Sequence, residues 1–364
     1  MRIGILGGGQ LARMMSLAAY PLNIQTRIYE PAPESCAAQV TERIQGEYDD
    51  FRALFQFIQG CDSVTYEFEN VPIETARWIN ERVPVYPPPE ALRVSQDRII
   101  EKTFLQDLGI RTPAFRAINS RADYDRAIQE LGFPFVLKTT RFGYDGKGQM
   151  VVKSLEDQEK AWILLGGRPL ILEQFVPFDS EYSIIAVRDR SLAIRTYDLI
   201  ENQHREGILR RSVCPSSASE TQKRLARKAA AAVMEKLDYV GVLTIEFFGI
   251  GEDLWANEMA PRVHNSGHWT INAAVTSQFE NHMRAVAGLD LGSTELLKPV
   301  RMLNCIGRMP DRQKICADGW TKYHDYGKSS RAGRKVGHLT LMHSDSIAAD
   351  SLEELFWKEM ADSD

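Results

Sequence analysis

Lys138-Thr139-Thr140-Arg141-Phe142-Gly143-Tyr144-Asp145-Gly146-Lys147-Gly148-Gln149 is the stretch whose reading decides the fold. Lys138 closes an apolar run, 135–138, that reads as a strand. Gly143, Gly146 and Gly148 then fall within six positions, flanked by Arg141 and Lys147. Main-chain N–H groups freed by glycines, with cations beside them, suit a loop that closes over phosphates. The P-loop pattern G-x-x-x-x-G-K-[ST] is absent, so this is another kind of phosphate loop. Asp145-Gly146 is also a strong hairpin-turn signal, but a bare turn has no need of three neighbouring cations.

Working outward, the next acids lie on strands. Glu246 sits in the run Leu243-Thr244-Ile245-Glu246-Phe247-Phe248, and Glu258 ends Leu254-Trp255-Ala256-Asn257-Glu258. Carboxylates embedded in apolar strands are costly unless paired or metal-bound. Two of them with the Asn257 oxygen form a hard-oxygen set suited to Mg²⁺ that also ligates phosphates. Directly after comes Ala260-Pro261-Arg262-Val263-His264-Asn265-Ser266-Gly267-His268-Trp269. The four-residue spacing of His264 and His268 invites zinc, but no Glu follows His264, Gly267 interrupts a helix, and no third ligand is evident. Arg262 offers a planar fork for a carboxylate, bicarbonate or phosphate, which makes an anion-binding turn the better reading. His268 reads as a core or capping histidine.

Upstream, Gly7, Gly9 and Ala12 match G-x-G-x-x-A between a strand, 2–6, and a helix, 10–19, and Glu30 ends a second strand, 26–29. The arrangement predicts an anion at a helix N-terminus, and by itself it would fit a dinucleotide. Alternation of strands and helices through residue 90 predicts a parallel sheet. The run Val83-Pro84-Val85-Tyr86-Pro87-Pro88-Pro89 cannot continue a helix and marks a boundary. One helix is expected over 90–108, another over 220–237, and a last one capped by Ser351 with Glu354.

Composition excludes several classes. The 364 residues hold 44 Lys+Arg against 49 Asp+Glu, a net charge of −5, with 44% hydrophobic and 26% charged residues. That is an ordinary globular balance with no basic tail or stripe for nucleic acid and no apolar run that spans a bilayer. The five cysteines, Cys36, Cys61, Cys214, Cys305 and Cys316, are odd in number, scattered and without a CxxC pair, so neither a zinc knuckle nor a disulfide framework is indicated. A reducing cytoplasm is expected.

The order of phosphate lysine, glycine-rich loop, hinge glutamate and Glu…Asn-Glu pair resembles the ATP-grasp superfamily. Residues 143–149, 260–269 and Gly333-Arg334-Lys335-Val336-Gly337-His338 together resemble one family within it, the N5-carboxyaminoimidazole ribonucleotide synthetases of purine biosynthesis. Gly7-Gly8-Gly9-Gln10-Leu11 and Tyr66-Glu67-Phe68-Glu69-Asn70-Val71 fit the same family's first domain, and Lys147 departs from it by standing where Arg is common. The resemblance implies an α/β and α+β ATP-grasp fold in three parts: a Rossmann-like domain over 1–95, a lid domain over 96–176 and a C-terminal domain over 177–364.

It also implies roles. Arg98 and Lys138 would hold ATP phosphates under the lid formed by Gly143, Tyr144, Asp145, Gly146, Lys147, Gly148 and Gln149. Glu173 and the main chain of Val176 would read adenine, Glu181 the ribose, with His204 nearby. Glu246 and Glu258 would bind Mg²⁺, or Mn²⁺ in its place, beside Asn257. Gly9, Gln10, Leu11 and Glu67, with Tyr144, Asp145 and Lys335, would hold aminoimidazole ribonucleotide. Glu69 alternates with Glu67, and only one of the two is needed inside. Arg262, His264 and Lys335 would form the bicarbonate and carboxyphosphate pocket, with Asp145 and Lys147 completing the catalytic set. The implied reaction is ATP-dependent carboxylation through carboxyphosphate, giving ADP and phosphate. A homodimer is expected, with no nucleic-acid or membrane partner. Two other readings stay open: a formate-dependent glycinamide ribonucleotide transformylase, and an NAD-dependent dehydrogenase resting on Gly7, Gly9, Ala12 and Glu30.

Overall fold

A computed structural model describes residues 1–143, 147–342 and 346–361. The apolar run Arg2–Leu6 is the second-from-edge strand of a four-stranded sheet, ordered Glu42–Ile44, Gln25–Tyr29, Arg2–Leu6, Ser63–Tyr66, with every pairing parallel. Parallel strands need helical crossovers. Gln10–Ala19 and Phe51–Ile58 supply two of the helices around this sheet, and Asp50 accepts from Arg52 N and Ala53 N to start the second. Gly7 adopts φ +103°, a left-handed conformation, and a side chain there would strike Glu67.

The single helix expected over 90–108 is two. Pro89–Ser95 ends at Gln96, and Arg98–Asp107 begins anew because Asp97 turns extended and accepts from Ile99 N and Ile100 N. The break places Arg98 at the first turn of the second helix, its N–H bonded to Thr140 O. The next unit is a four-stranded antiparallel sheet in the order Phe115–Ile118, Leu170–Gln174, Phe135–Thr139, Gln149–Val152. Ser120 and Ser154 cap the helices Arg121–Leu131 and Leu155–Leu165 that pack on it.

A nine-stranded antiparallel sheet organises the remainder. Its path runs Asp253–Ala260, Gly241–Ile250, Ser180–Arg188, Ile200–Arg205, Ile208–Cys214, Val300–Ile306, Lys335–Leu341, Thr321–Asp325, and Ile194–Thr196 pairs with Ser180–Arg188. The helix Glu220–Lys236 covers one face through Ala226, Ala230, Val233 and Met234, while Gln278–Ala287 packs on the other side and against Gln10–Ala19, tying the first sheet to the large one. Ser219 and Gln222 form a reciprocal capping box at the start of the first of these helices. The last helix runs Ser346–Ala361, so Ser351 and Glu354 lie inside it and do not cap it; the pattern occurs by chance mid-helix. Among the described residues no helix is long and apolar enough to cross a membrane. The cysteines are all free, as their spacing predicted.

Candidate active site

The three sheets surround one cleft of about 880 Å³. Every described residue predicted for the site lines it except Gly148, which packs behind it against Thr139. Tyr144, Asp145 and Gly146 lie outside the described residues.

Glu246 and Glu258 face each other directly across an antiparallel pair. Like charges so placed repel. The register then slips by one residue, Glu246 opposite Glu258 but Phe247 opposite Ala256, so Asn257 is the extra residue of a β-bulge. A bulge breaks strict alternation, and here both Asn257 and Glu258 reach the cleft. Arg98 Nη1 donates to Glu258 Oε2 at 3.0 Å. Burial works against the Glu258 carboxylate, but Arg98, with Lys138, holds its pKa well below the usual range. Burial and the neighbouring Glu258 and Glu181 charges push that of Glu246 up. The pair is thus one firm anion and one carboxylate short of a cation.

The donor set passes a test for Mg²⁺. Asn257 Oδ1 is buried beside the pair without a hydrogen-bond partner. Among the described residues no three His, Cys, Asp or Glu side chains gather to hold a metal unaided. Magnesium is usually held by one or two carboxylates plus substrate phosphates, so two acids and an orphaned amide oxygen suffice.

At the nucleotide end, Lys138 Nζ donates to Glu173 Oε2 at 2.9 Å, a diagonal contact between adjacent strands, since Glu173 is opposite Val136. Lys102 Nζ lies 3.3 Å from the same oxygen and donates to Asn257 O at 3.0 Å. Despite burial, the two lysines bring the Glu173 pKa down to about 2. The Glu173 carboxylate is therefore committed to lysines, and its strand is paired on both sides, so the main chain open to a purine edge is that beyond the strand end, at Val176. Glu181 Oε2 pairs with His204 Nδ1 at 3.0 Å. Burial alone would lower the His204 pKa; the Glu181 bond and the Glu246 and Glu258 charges raise it instead.

The segment after Glu258 folds over the far side of the pair. Arg262 Nε donates to Glu69 Oε2 at 2.5 Å and Nη1 to Val263 O at 3.1 Å. Ser266 N donates to His264 Nδ1, so the His264 proton sits on Nε2, which lies 3.4 Å from Glu246 Oε1. Burial, with Arg262 and Lys335 nearby, keeps His264 neutral, its pKa well below 6.5. Lys335 starts the strand Lys335–Leu341 at a bulge and lines the cleft there. His268 is a core histidine, as expected: it contacts Tyr326 Oη at 3.0 Å, and Tyr326 in turn contacts His338 Nδ1 at 2.8 Å.

The N-terminal glycine turn differs from the expectation of an open anion site. Glu67 accepts from Gly9 N and, at 2.9 Å, from Ala12 N; Glu30 Oε2 accepts from Gly8 N at 2.7 Å. Two carboxylates already occupy the helix N-terminus, so a phosphate there would meet like charge. The glycines are needed for that approach, because a Cβ on Gly9 would lie 2.8 Å from Glu67 Oε1. This removes the structural basis of the dehydrogenase reading. Glu67 and Glu69 are not alternatives either. The strand ends at Tyr66, so strict alternation stops, and both acids line the cleft with different partners.

Several residues of the site carry no strong mark in the sequence. Glu101, buried, accepts from Met259 N at 2.7 Å, and with Lys102 it grips the main chain on either side of Glu258. Their signal is an acid–base pair on the buried face of a helix. Lys328 donates to Gln10 Oε1, and Arg331 and Arg334 line the cleft beside it. Only the cation content of 328–335 marks them in the sequence.

Comparison with known proteins bears on the family and the fold. Family models match three stretches: a ribonucleotide synthetase preATP-grasp domain at 1–96, an ATP-grasp domain at 103–279, and a phosphoribosylaminoimidazole carboxylase C-terminal domain at 301–352. An N5-carboxyaminoimidazole ribonucleotide synthase of Pseudomonas aeruginosa is 49% identical over 345 residues, covering 95% of each chain. The crystal structure of N5-carboxyaminoimidazole ribonucleotide synthetase from Thermus thermophilus superposes with a TM-score of 0.94 at 49% identity over 99% of both chains. The synthase from Aspergillus clavatus in complex with ADP and 5-aminoimidazole ribonucleotide gives 0.90 at 29% identity, over 99% of this chain and 98% of that one. On domain order, sequence and whole-chain superposition alike, the chain belongs to the N5-carboxyaminoimidazole ribonucleotide synthase family of ATP-grasp ligases.

Proposed function

We propose that this chain catalyses the family reaction: ATP-dependent carboxylation of 5-aminoimidazole ribonucleotide with bicarbonate, giving the N5-carboxy product, ADP and phosphate in purine biosynthesis. One observation carries the reading. A facing carboxylate pair has nucleotide-type cations, Arg98 and Lys138, on one side, and Arg262, neutral His264 and Lys335 on the other, within a single cleft.

Arg98 and Lys138 bind the phosphates, and Lys147 with Gln149 contributes from the loop above. The main chain of Val176, just past the strand that carries Glu173, faces the adenine, and Glu181 the ribose. Glu246, Glu258 and the Asn257 oxygen hold Mg²⁺, a role Mn²⁺ fills by the same donors. When bound, the metal neutralises charge on the transferring phosphoryl group. Arg262 orients bicarbonate through the N–H groups that Glu69 and Val263 leave over, and Lys335 balances charge as carboxyphosphate forms. His264, protonated on Nε2, donates a hydrogen bond without adding charge. Catalysis rests on positioning and electrostatics. Carboxyphosphate hydrolyses readily, so excluding water from the site has a clear purpose.

Gln10, Leu11 and Glu67 take the aminoimidazole ribonucleotide. Because the helix N-terminus is filled by Glu67 and Glu30, the ribonucleotide phosphate is better received by Lys328 and Arg331 than by Gly8 and Gly9. Glu67 is desolvated, which raises its pKa and suits it to take a proton from the amine; Asp145 is the other group with that role open to it. The proposal extends to domains divided at about residues 95 and 176 and to a cytoplasmic homodimer, which sedimentation equilibrium tests.

The deciding assay measures ADP release with each co-substrate withheld. ADP formation is expected only with both the ribonucleotide and bicarbonate present. An ATPase rate indifferent to the ribonucleotide refutes the assignment, and turnover with formate and glycinamide ribonucleotide in their place would establish the transformylase instead.

A further inference from the structure

We propose that Lys102 is a positioning residue for nucleotide binding: it is the standing counter-ion of Glu173, and it thereby allows Lys138 to leave that carboxylate for a phosphate. The inference rests on the reading of Lys138 as a phosphate ligand.

Three observations carry it. Lys102 is 0% exposed, one turn into the helix Arg98–Asp107, and an uncompensated lysine in such a place would be strongly disfavoured. Its Nζ and that of Lys138 converge on a single oxygen, Glu173 Oε2, at 3.3 and 2.9 Å, while Glu173 Oε1 is buried without a partner. Lys138 lines the cleft and Lys102 lies behind its wall. One carboxylate thus holds two ammonium groups, only one of which an incoming anion can reach.

The asymmetry has a direct consequence. An arriving phosphate competes with Glu173 for Lys138. A buried carboxylate stripped of its last cation is very unfavourable, so with Lys138 as sole partner Glu173 would retain it. With Lys102 fixed behind the wall and also anchored to Asn257 O, Glu173 stays compensated whichever way Lys138 turns. Lys138 carries three donors and can reach outward without the site losing charge balance. The same anchor means that removing Lys102 has a structural consequence too, at the bulge, and the test must separate the two.

The experiment is calorimetric titration of the full-length protein with ADP in the presence of Mg²⁺. Lys102→Met, close in volume and uncharged, is expected to weaken binding by about tenfold or more, the size of one charge-assisted interaction. Adding Glu173→Gln to that variant removes the competitor and is expected to restore affinity to within about threefold of the Glu173→Gln protein. An unchanged affinity in Lys102→Met overturns the proposal, as does a loss that Glu173→Gln leaves in place, since that loss would come from the Asn257 carbonyl. Should Lys102→Met not fold, Glu173→Gln alone decides: equal or tighter binding supports competition for Lys138, and weaker binding refutes it. Lys138→Ala serves as the separate control. If it binds ADP as tightly as the unaltered protein, the phosphate reading of Lys138 fails, whatever Lys102 does.

Discussion

Replacing Arg262 by lysine tests the bicarbonate pocket more cleanly than removing it. Arg262→Ala would leave the half-buried Glu69 carboxylate without its partner, a loss that mixes stability with catalysis. Lysine keeps the positive charge beside Glu69 and loses the fork. In the structure that fork is divided: Nε serves Glu69 at 2.5 Å, Nη1 serves Val263 O at 3.1 Å, and the residue lines the cleft with N–H groups to spare. A single ammonium cannot serve all three directions in one geometry. The charge will stay with Glu69, so bicarbonate is the partner left without its donor. A hydrogen bond to a charged group is worth about 1.5–3 kcal/mol. At about 1.4 kcal/mol per tenfold, kcat/KM for bicarbonate should fall by roughly ten- to a hundredfold. The KM for ATP should hold within about twofold, because Arg98 and Lys138 are untouched. Initial rates at saturating ATP and ribonucleotide with bicarbonate varied, then ATP varied, give both numbers. An effect confined to ATP with bicarbonate use intact would refute the assignment of Arg262.

Glu258→Ala should lower Mg²⁺-dependent turnover by about a hundredfold or more while circular dichroism reports a folded chain; undiminished turnover would remove Glu258 from the metal site. Asp97→Ala should destabilise the protein by about 1 kcal/mol in urea and weaken nucleotide binding, because the cap that starts the Arg98 helix is lost. A stability loss with nucleotide affinity intact would uncouple the cap from the site. His282 is buried and neutral, accepting from Val242 N and contacting Thr65, and burial lowers its pKa to about 3. Between that value and about 6.5 the unfolded chain binds the proton that the folded chain refuses, so stability is full above pH 6.5 and declines as pH falls. The contribution is about 2 kcal/mol lost by pH 5, and His282→Gln should show a correspondingly flatter loss from pH 7.5 to 5. An identical pH slope in the two proteins would contradict it.

Whatever has a local signature is legible in the sequence. The strands Arg2–Leu6 and Ser63–Tyr66 and the helix Leu155–Leu165 announce themselves by period and by their flanking residues, and the glycine loop and the Glu246, Glu258 and Arg262 segment by residue type. The features that stay hidden depend on partners far away in the chain. Nothing local says that Asp97 breaks a helix, since an Asp inside a helical pattern is ordinary until its backbone is extended. The glycine turn misleads because Glu67, which fills it, lies 58 residues from Gly9. The bulge at Asn257 is a register property of two strands, and Lys102 gains its meaning only when the strands Leu170–Gln174 and Asp253–Ala260 close over it.

The net charge of −5 and a site built for anions are reconciled by the pairing within the cleft. Many of its basic groups already have an acid or an amide: Arg98 with Glu258, Lys138 with Glu173, Arg262 with Glu69, His204 with Glu181, Lys328 with Gln10. A cleft of bare cations would repel itself and bind any polyanion. A cleft of pairs is stable when empty, and on the function proposed above it would take up a nucleotide by exchanging partners. If magnesium engages Glu258, Arg98 is released; if a phosphate draws Lys138 away, Lys102 keeps Glu173 balanced. Each exchange requires that the incoming group match the acid or the base it displaces, in position as well as charge. On that reading, selectivity for a magnesium nucleotide over free phosphate would follow from the pairing itself, because free phosphate offers nothing to Glu258 and leaves it with Arg98.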